Sequence, residues 1–411
     1  RDLHRVDRRQ RQMCIRDRDK TYQFLLIILA FLMPLTVFGA NLIIVIICLI
    51  WLFSGNYKSK FYQITSSKLM IASIVFFSLH LVGLLWTEDL SWGLHIIHKM
   101  WYFLLLLPIL FTIVRKDHIK FYIYSFLFAI ALTEVISYLV WFQIIETFKE
   151  ARVDNPTPFM SHVSYNPILA FSIYLVLHEL FFNKKLSNLI FFIYSFFAIS
   201  MAINMFITGG RAGQVGFFVM LIILIFQVLE KQRLKALLAT ILLMPTIFFT
   251  SYHTSDLFQH RVDLATIELM QYSDKYYSSV GLRIHFAINS FQVIKENPII
   301  GVGTGDFPIE YAKINQINSP SLPDTTNPHN MYTLVLMQLG LLGLFSMLSI
   351  FYFQLKFSIN SKSRFFQNLG FTLPVMYLIM MLSDSYLLGH YTCLLYTSDA
   401  ADDLLCVDLG G

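Results

Sequence analysis

The sequence predicts an all-α, polytopic transmembrane bundle of about eleven helices, with one large loop outside the membrane. Of its 411 residues 56% are hydrophobic and 14% charged, too apolar a mixture for a soluble domain to cover its own surface. Apolar runs fit for a hydrocarbon core of ~30 Å recur along the chain, and the basic residues cluster in alternate connections between them. The net charge of +5 is too small to make nucleic acid a natural partner, which leaves membrane lipids as the surroundings. Cys14, Cys48, Cys393 and Cys406 show neither a CxxC nor a Cys/His spacing, so no disulfide framework or zinc site is expected.

The ends differ from the rest. A charge-dense run at 1–18 and a polar tail at 393–411 interrupt the apolar text, resemble translated sequencing adapter, and are read as non-native. Between them the spans fall near 22–37, 40–54, 69–86, 96–114, 119–142, 163–182, 189–207, 213–229, 236–250, 329–354 and 366–389. Pro34 and Gly39 mark a tight hairpin between the first two. Lys58, Lys60 and Lys68, then Arg115, Lys116 and Lys120, then Lys184 and Lys185, place those connections on the cytoplasmic side. Lys231, Arg233 and Lys235, followed by Lys356, Lys362 and Arg364, continue the pattern. Residues 20–250 thus hold nine helices, 251–328 an extracytoplasmic loop subdomain, and 329–391 two more helices.

Within that loop, Ile284, Ala287, Ile288, Phe291 and Ile294 share one face of a predicted amphipathic helix over 283–296, which Asn297 and Pro298 end. Arg283 opens this helix, where a cation opposes the helix dipole unless an anion offsets it. Arg211, in TGGRAGQ between two apolar helices, is costly near the membrane unless it snorkels or faces a cavity. Its glycine neighbours, Gly209, Gly210 and Gly213, permit close approach of backbone or ligand. His329, in NPHNMY where the loop re-enters the membrane, can accept a proton from a hydroxyl. Each has an ordinary alternative: Arg211 at the lipid headgroups, Arg283 in an exposed loop, His329 as a capping residue. GVGTGDF at 301–307 lacks a Walker lysine and reads as a tight turn whose amides, at Gly303 and Gly305, could touch a phosphate. Glu88 and Asp89 are adjacent carboxylates without a second acidic pair, a weak basis for a metal site.

Taken in order, GLLWTEDLSWGLHIIHK, ITGGRAGQ, GLRIHFAINSFQVIKENPIIGVGTGDF and PHNMYTLVLMQLGLLGL resemble the O-antigen ligase family of membrane glycosyltransferases, over roughly residues 20–391. The resemblance implies a bacterial inner-membrane enzyme whose active site faces the periplasm. It would move a glycan from a polyprenyl (undecaprenyl) diphosphate carrier to an acceptor sugar, lipid A core or another glycan, with no cofactor, nucleotide or metal and with inversion. It places the catalytic roles on Arg211, Arg283 and His329, and Asn330, Gly303 and Gly305 join the two arginines as substrate-binding candidates. Gly210, Phe286 and Gln338 depart from the family's usual serine, tryptophan and acidic residue. The family commonly has a twelfth helix, so an intact chain is expected to have one more. A polysaccharide polymerase, a protein O-oligosaccharyltransferase and a lipid-linked glycan transporter are the alternative readings.

Overall fold

The computed structural model describes residues 2–148, 151–270 and 278–389, with backbone alone for 2–16 and 269. The expected tail at 393–411, with Cys393 and Cys406, lies outside the described residues. The described residues form sixteen α-helices. The first half comprises α1 (Asp2–Leu32), α2 (Val37–Phe53), α3 (Tyr57–Ser66), α4 (Lys68–Gly83), α5 (Leu90–Met100), α6 (Leu106–Ile113), α7 (Ile119–Trp141) and α8 (His162–Phe182). The second comprises α9 (Asn188–Ile207), α10 (Arg211–Val228), α11 (Arg233–Thr254), α12 (Asp256–Met270), α13 (Ser279–Glu296), α14 (Phe307–Asn318), α15 (Met331–Asn360) and α16 (Arg364–Met380).

Among the described residues, eight stretches are long and apolar enough to cross a membrane, or nine if α2 and α3, bent by 116°, count as one. Two expected spans are shorter than a full crossing. α1 becomes apolar only from Tyr22, and α16 has 17 residues. α16 stops at Met380 because Ser383, Asp384 and Ser385 turn the chain, although the apolar text runs on to a 3₁₀ turn at Tyr386–Leu388. α1 runs through residue 18 without a break. α3 carries Lys58 and Lys60 away from the bundle axis, and Lys60 folds back over the Trp51 ring at 4.3 Å.

The predicted amphipathic helix is α13, but its orientation inverts the usual soluble arrangement. His285, Phe286, Asn289, Ser290 and Val293 face the protein, while Ile288 and Phe291 are more than half exposed. An apolar stripe turned outward on a membrane protein is suited to contact with lipid.

α15 is broken at Gly340, whose φ of 60° and ψ of −154° are not helical. A break in a membrane helix frees amides and carbonyls that hydrocarbon cannot satisfy. Residues 298–303 of the preceding loop satisfy them. The amides of Leu341 and Leu342 donate to the carbonyls of Pro298 and Ile299 at 2.9 and 3.2 Å. In return the amides of Val302 and Gly303 donate to the carbonyls of Met337 and Gln338 at 2.8 and 3.0 Å. Residues 341–360 alone span ~30 Å, a full crossing, so this backbone plug sits toward the N-terminal end of the helix.

Close approach explains two glycines. A Cβ on Gly301 (φ +69°) would lie 2.4 Å from the Gln338 carbonyl carbon, and one on Gly340 (φ +60°) 2.4 Å from that of Ile299. Gly55 has the same positive φ, +68°, with nothing within 4 Å of its Cβ position. Gly55→Ala is therefore expected to cost about 1 kcal/mol, and Gly301→Ala or Gly340→Ala about 3 kcal/mol or more. Heating the detergent-solubilised variants and measuring the folded fraction by size exclusion checks this; equal losses in all three would refute the plug.

Candidate functional site

At the end of the bundle opposite the lysine-rich connections, α8 and α10 approach unusually closely. A Cβ on Gly213 would meet the Asn166 backbone at 2.4 Å, and one on Gly210 the His162 carbonyl at 2.5 Å. Gly210 and Gly213 thus admit the backbone of α8, while Gly209 and Gly210 also line the cavity described next. Asn166 locks the α9–α10 turn, accepting from the Thr208 hydroxyl at 2.8 Å and donating to the Gly210 carbonyl at 3.3 Å. Gln214 donates to the carbonyls of Met205 and Thr208, both at 3.2 Å. Asn155 accepts from the Gly209 amide at 2.9 Å and contacts His162 at 3.1 Å. These bonds hold Arg211 as the first residue of α10, a helix with no side-chain cap. Uncapped first-turn amides beside a guanidinium favour an anion.

Arg211 and Arg283 line one cavity of about 360 Å³, together with Arg261, His162 and Asp384. Arg211 reaches Glu268 of α12 at 3.9 Å, and Glu268 also accepts the Val280 amide at 3.1 Å, tying α12 to the start of α13. Arg283 does not open its helix, as the sequence suggested. Ser278 caps α13 by accepting the Gly281 amide at 2.9 Å, so Arg283 stands in the second turn and the helix-end argument for it lapses. What gathers charge here is three arginines around one space. Arg261, carried by α12, was invisible as a site residue because nothing in its local sequence marks it.

His329 stands beside this cavity through a residue that the sequence reading missed. Its Nδ1 lies 3.1 Å from a carboxylate oxygen of Asp384, in the turn beyond α16. Burial pushes the Asp384 carboxyl up, but hydrogen bonds from His329 and the Ser385 amide, with the charges of His329 and Arg283, outweigh it and hold it below the usual carboxylate range. An ionised Asp384 can only accept, so the His329 Nδ1 donates to it and leaves Nε2 for other partners. An aspartate in apolar text was the available signal for Asp384. Phe286 of α13 stacks on the His329 ring, centroids 6.4 Å apart and planes 25° apart.

The backbone at His329 is left-handed, with φ 52°. Its amide donates to Asn327 Oδ1 at 2.9 Å, and the same oxygen accepts from the Ser385 hydroxyl at 2.7 Å. Asn330, expected at the substrate, caps α15 by accepting the Thr333 amide at 3.0 Å and donates to the Leu382 carbonyl at 3.2 Å. Its amide group is committed to the fold.

Gly303 and Gly305 are not brought to the cavity. The Gly303 amide belongs to the plug, and the Gly305 amide donates to Thr87 Oγ1 at 3.3 Å. Thr304 donates to the His80 carbonyl at 2.7 Å, and Asp306 accepts the amides of Glu88 and Asp89, each at 2.9 Å. Asp89 in turn caps α5 at Trp92, and Glu88 lies 3.9 Å from Lys313. The glycine-rich stretch is a buried brace between the ends of α4, α5 and α15, its polar groups already used.

Fold and site together define a multi-pass helical membrane protein with an arginine-lined cavity at one end and a histidine–aspartate pair at its edge. A family model described as O-Antigen ligase matches residues 196–348, the stretch that holds Arg211, Arg261, Arg283 and His329. The resemblance to the O-antigen ligase family is thereby shown over that segment. No curated protein matches the chain.

The brace predicts a separation of effects. A Cβ on Gly305 would lie 2.1 Å from the Asp89 carbonyl oxygen, so Gly305→Ala is expected to lower the yield of folded protein severalfold while the folded fraction binds a diphosphate probe as wild type does. Equilibrium binding on size-selected protein reads both; weakened binding by well-folded protein would return Gly305 to the site.

Proposed function

We propose that this protein is an O-antigen ligase-like glycosyltransferase of the bacterial inner membrane, with its cavity on the periplasmic side. The observation that carries this reading is the convergence of Arg211, Arg283 and Asp384, the partner of His329, on one cavity. A diphosphate is the anion that two planar guanidinium forks beside a helix N-terminus suit best. The periplasmic assignment rests on the lysine-rich connections at the other end of the bundle.

The donor is a polyprenyl diphosphate-linked glycan, whose isoprenoid chain can remain in the membrane. Arg211 and Arg283 grip the phosphate oxygens, orient the anomeric carbon and stabilise the charge that develops as the carbon–oxygen bond to the diphosphate breaks. The acceptor hydroxyl, on lipid A core sugar or another glycan, forms the new bond from the opposite face while His329 Nε2 takes its proton. Asp384 holds the ring in the useful tautomer and offsets the positive charge it gains. Displacement from the opposite face inverts the anomeric centre.

The test is glycan transfer from a polyprenyl diphosphate donor to lipid A core by purified protein. His329→Ala, Arg211→Ala and Arg283→Ala are each expected to slow transfer at least ~10²-fold at unchanged protein level, with His329→Ala retaining donor binding. Asp384→Asn is expected to lose ~10²-fold in rate with little change in donor affinity. Full activity in His329→Ala would remove the proposed base, and elongation of the carrier-linked glycan without transfer to core would make the enzyme a polymerase.

A further inference from the structure

At the lysine-rich end of the bundle, far along the helices from the arginine cavity, a second cavity of about 520 Å³ opens between α7, α8, α9 and α16. Lys116, Lys120 and Arg364 line it, against one carboxylate, Glu179, which accepts from Asn183 at 2.6 Å. Lys116 lies over the Phe366 ring at 4.7 Å and Arg364 over the Phe182 ring at 5.0 Å, so aromatic faces hold both cations at the mouth. Arg364 also meets Glu230 on its outer side, an exposed contact that an incoming anion can exchange.

Two further features point to a ligand. His178 lines the cavity, is 3% exposed, and has an Nδ1 without a hydrogen-bond partner, while its Nε2 meets Asn368 at 3.1 Å. α16 begins here at Arg364, and Ser363 places no side-chain cap on its first turn. The cavity also shares an apolar wall with a second pocket. Ile119, Ile123 and Leu175 line both it and a pocket of about 120 Å³ walled by Leu26, Met33 and Phe126 deeper in the bundle.

A cluster of cations beside an apolar pocket between helices has the polarity of an amphiphile. We propose that this cavity binds an anionic phospholipid, its phosphate at Lys116, Lys120 and Arg364 and an acyl chain running along Ile123 and Leu175. A soluble anion would leave the apolar slot unused, and a zwitterionic lipid would add an ammonium to a site with cations in excess. The site is distinct from the arginine cavity and does not depend on the transfer reaction. Its occupant would fill the space between α16 and the helices α7 and α8.

Native mass spectrometry of the delipidated full chain, titrated with phosphatidylglycerol or phosphatidylcholine of the same acyl chains, tests this. Wild type is expected to retain phosphatidylglycerol at least tenfold better than phosphatidylcholine. Combined Lys116→Gln, Lys120→Gln and Arg364→Gln substitutions should erase that preference. Lys58→Gln with Lys68→Gln, basic positions on another connection, should leave it within twofold. Ile123→Trp, which fills the slot and leaves the charges, should weaken phosphatidylglycerol severalfold. Equal retention of the two lipids by wild type, equal loss in the Lys58 and Lys68 control, or full competition by glycerol phosphate lacking acyl chains would overturn the proposal.

Discussion

The structure depends on one exchange of backbone hydrogen bonds, that between the broken helix α15 and residues 298–303. A helix interrupted at Gly340 beside hydrocarbon is untenable alone, because its freed amides and carbonyls have no water to turn to. The loop supplies two carbonyls and two amides in matching positions, and both chains need glycine at the crossing, since each would otherwise drive a Cβ into the other's backbone. The brace at Thr304 and Asp306 then extends the same knot to α4 and α5. One loop thus ties together the ends of α4, α5 and the break in α15.

This arrangement accounts for what the sequence made legible and what it obscured. ENPIIGVGTGDF and GLLGL, separated by residues 308–339, carried the family resemblance, and they prove to be the two halves of a single contact. Their glycines looked like ligand glycines because tight turns around phosphates and tight crossings of backbone impose the same steric demand. The difference lies in where the amides point, which spacing does not encode. Arg211 was legible because an arginine between apolar helices needs a reason. Arg261 was not, because α12 is polar enough for a cation to need none.

Asp384 and α13 illustrate a subtler loss. Asp384 lay inside an expected span, where hydropathy averaging absorbs one acidic residue among many apolar ones; the structure turns the chain there and gives the carboxylate to His329. The period of α13 identified its apolar stripe, yet period alone does not say whether a stripe faces protein or lipid. In water the stripe would be buried. Beside a bilayer the polar face, with Asn289 and Ser290, packs inward and the stripe turns out.

The plug also constrains the chemistry proposed for His329. Its left-handed backbone is strained, and such strain persists only where the surroundings over-determine it. Asn327 binds its amide, Asn330 caps the helix that follows, the Met331 amide donates to the Met381 carbonyl at 2.9 Å, and Tyr332 donates to the Leu378 carbonyl at 2.6 Å. These bonds lie within the preceding loop, within the first turn of α15, or between α15 and the end of α16. The segment Met331–Leu339 ends at the plug, whose amides meet the carbonyls of Met337 and Gln338. The plug thus lies about nine residues, or ~14 Å, along the helix from His329, so a fault at Gly301 or Gly340 would disturb the helix that follows the base without altering any group in the cavity.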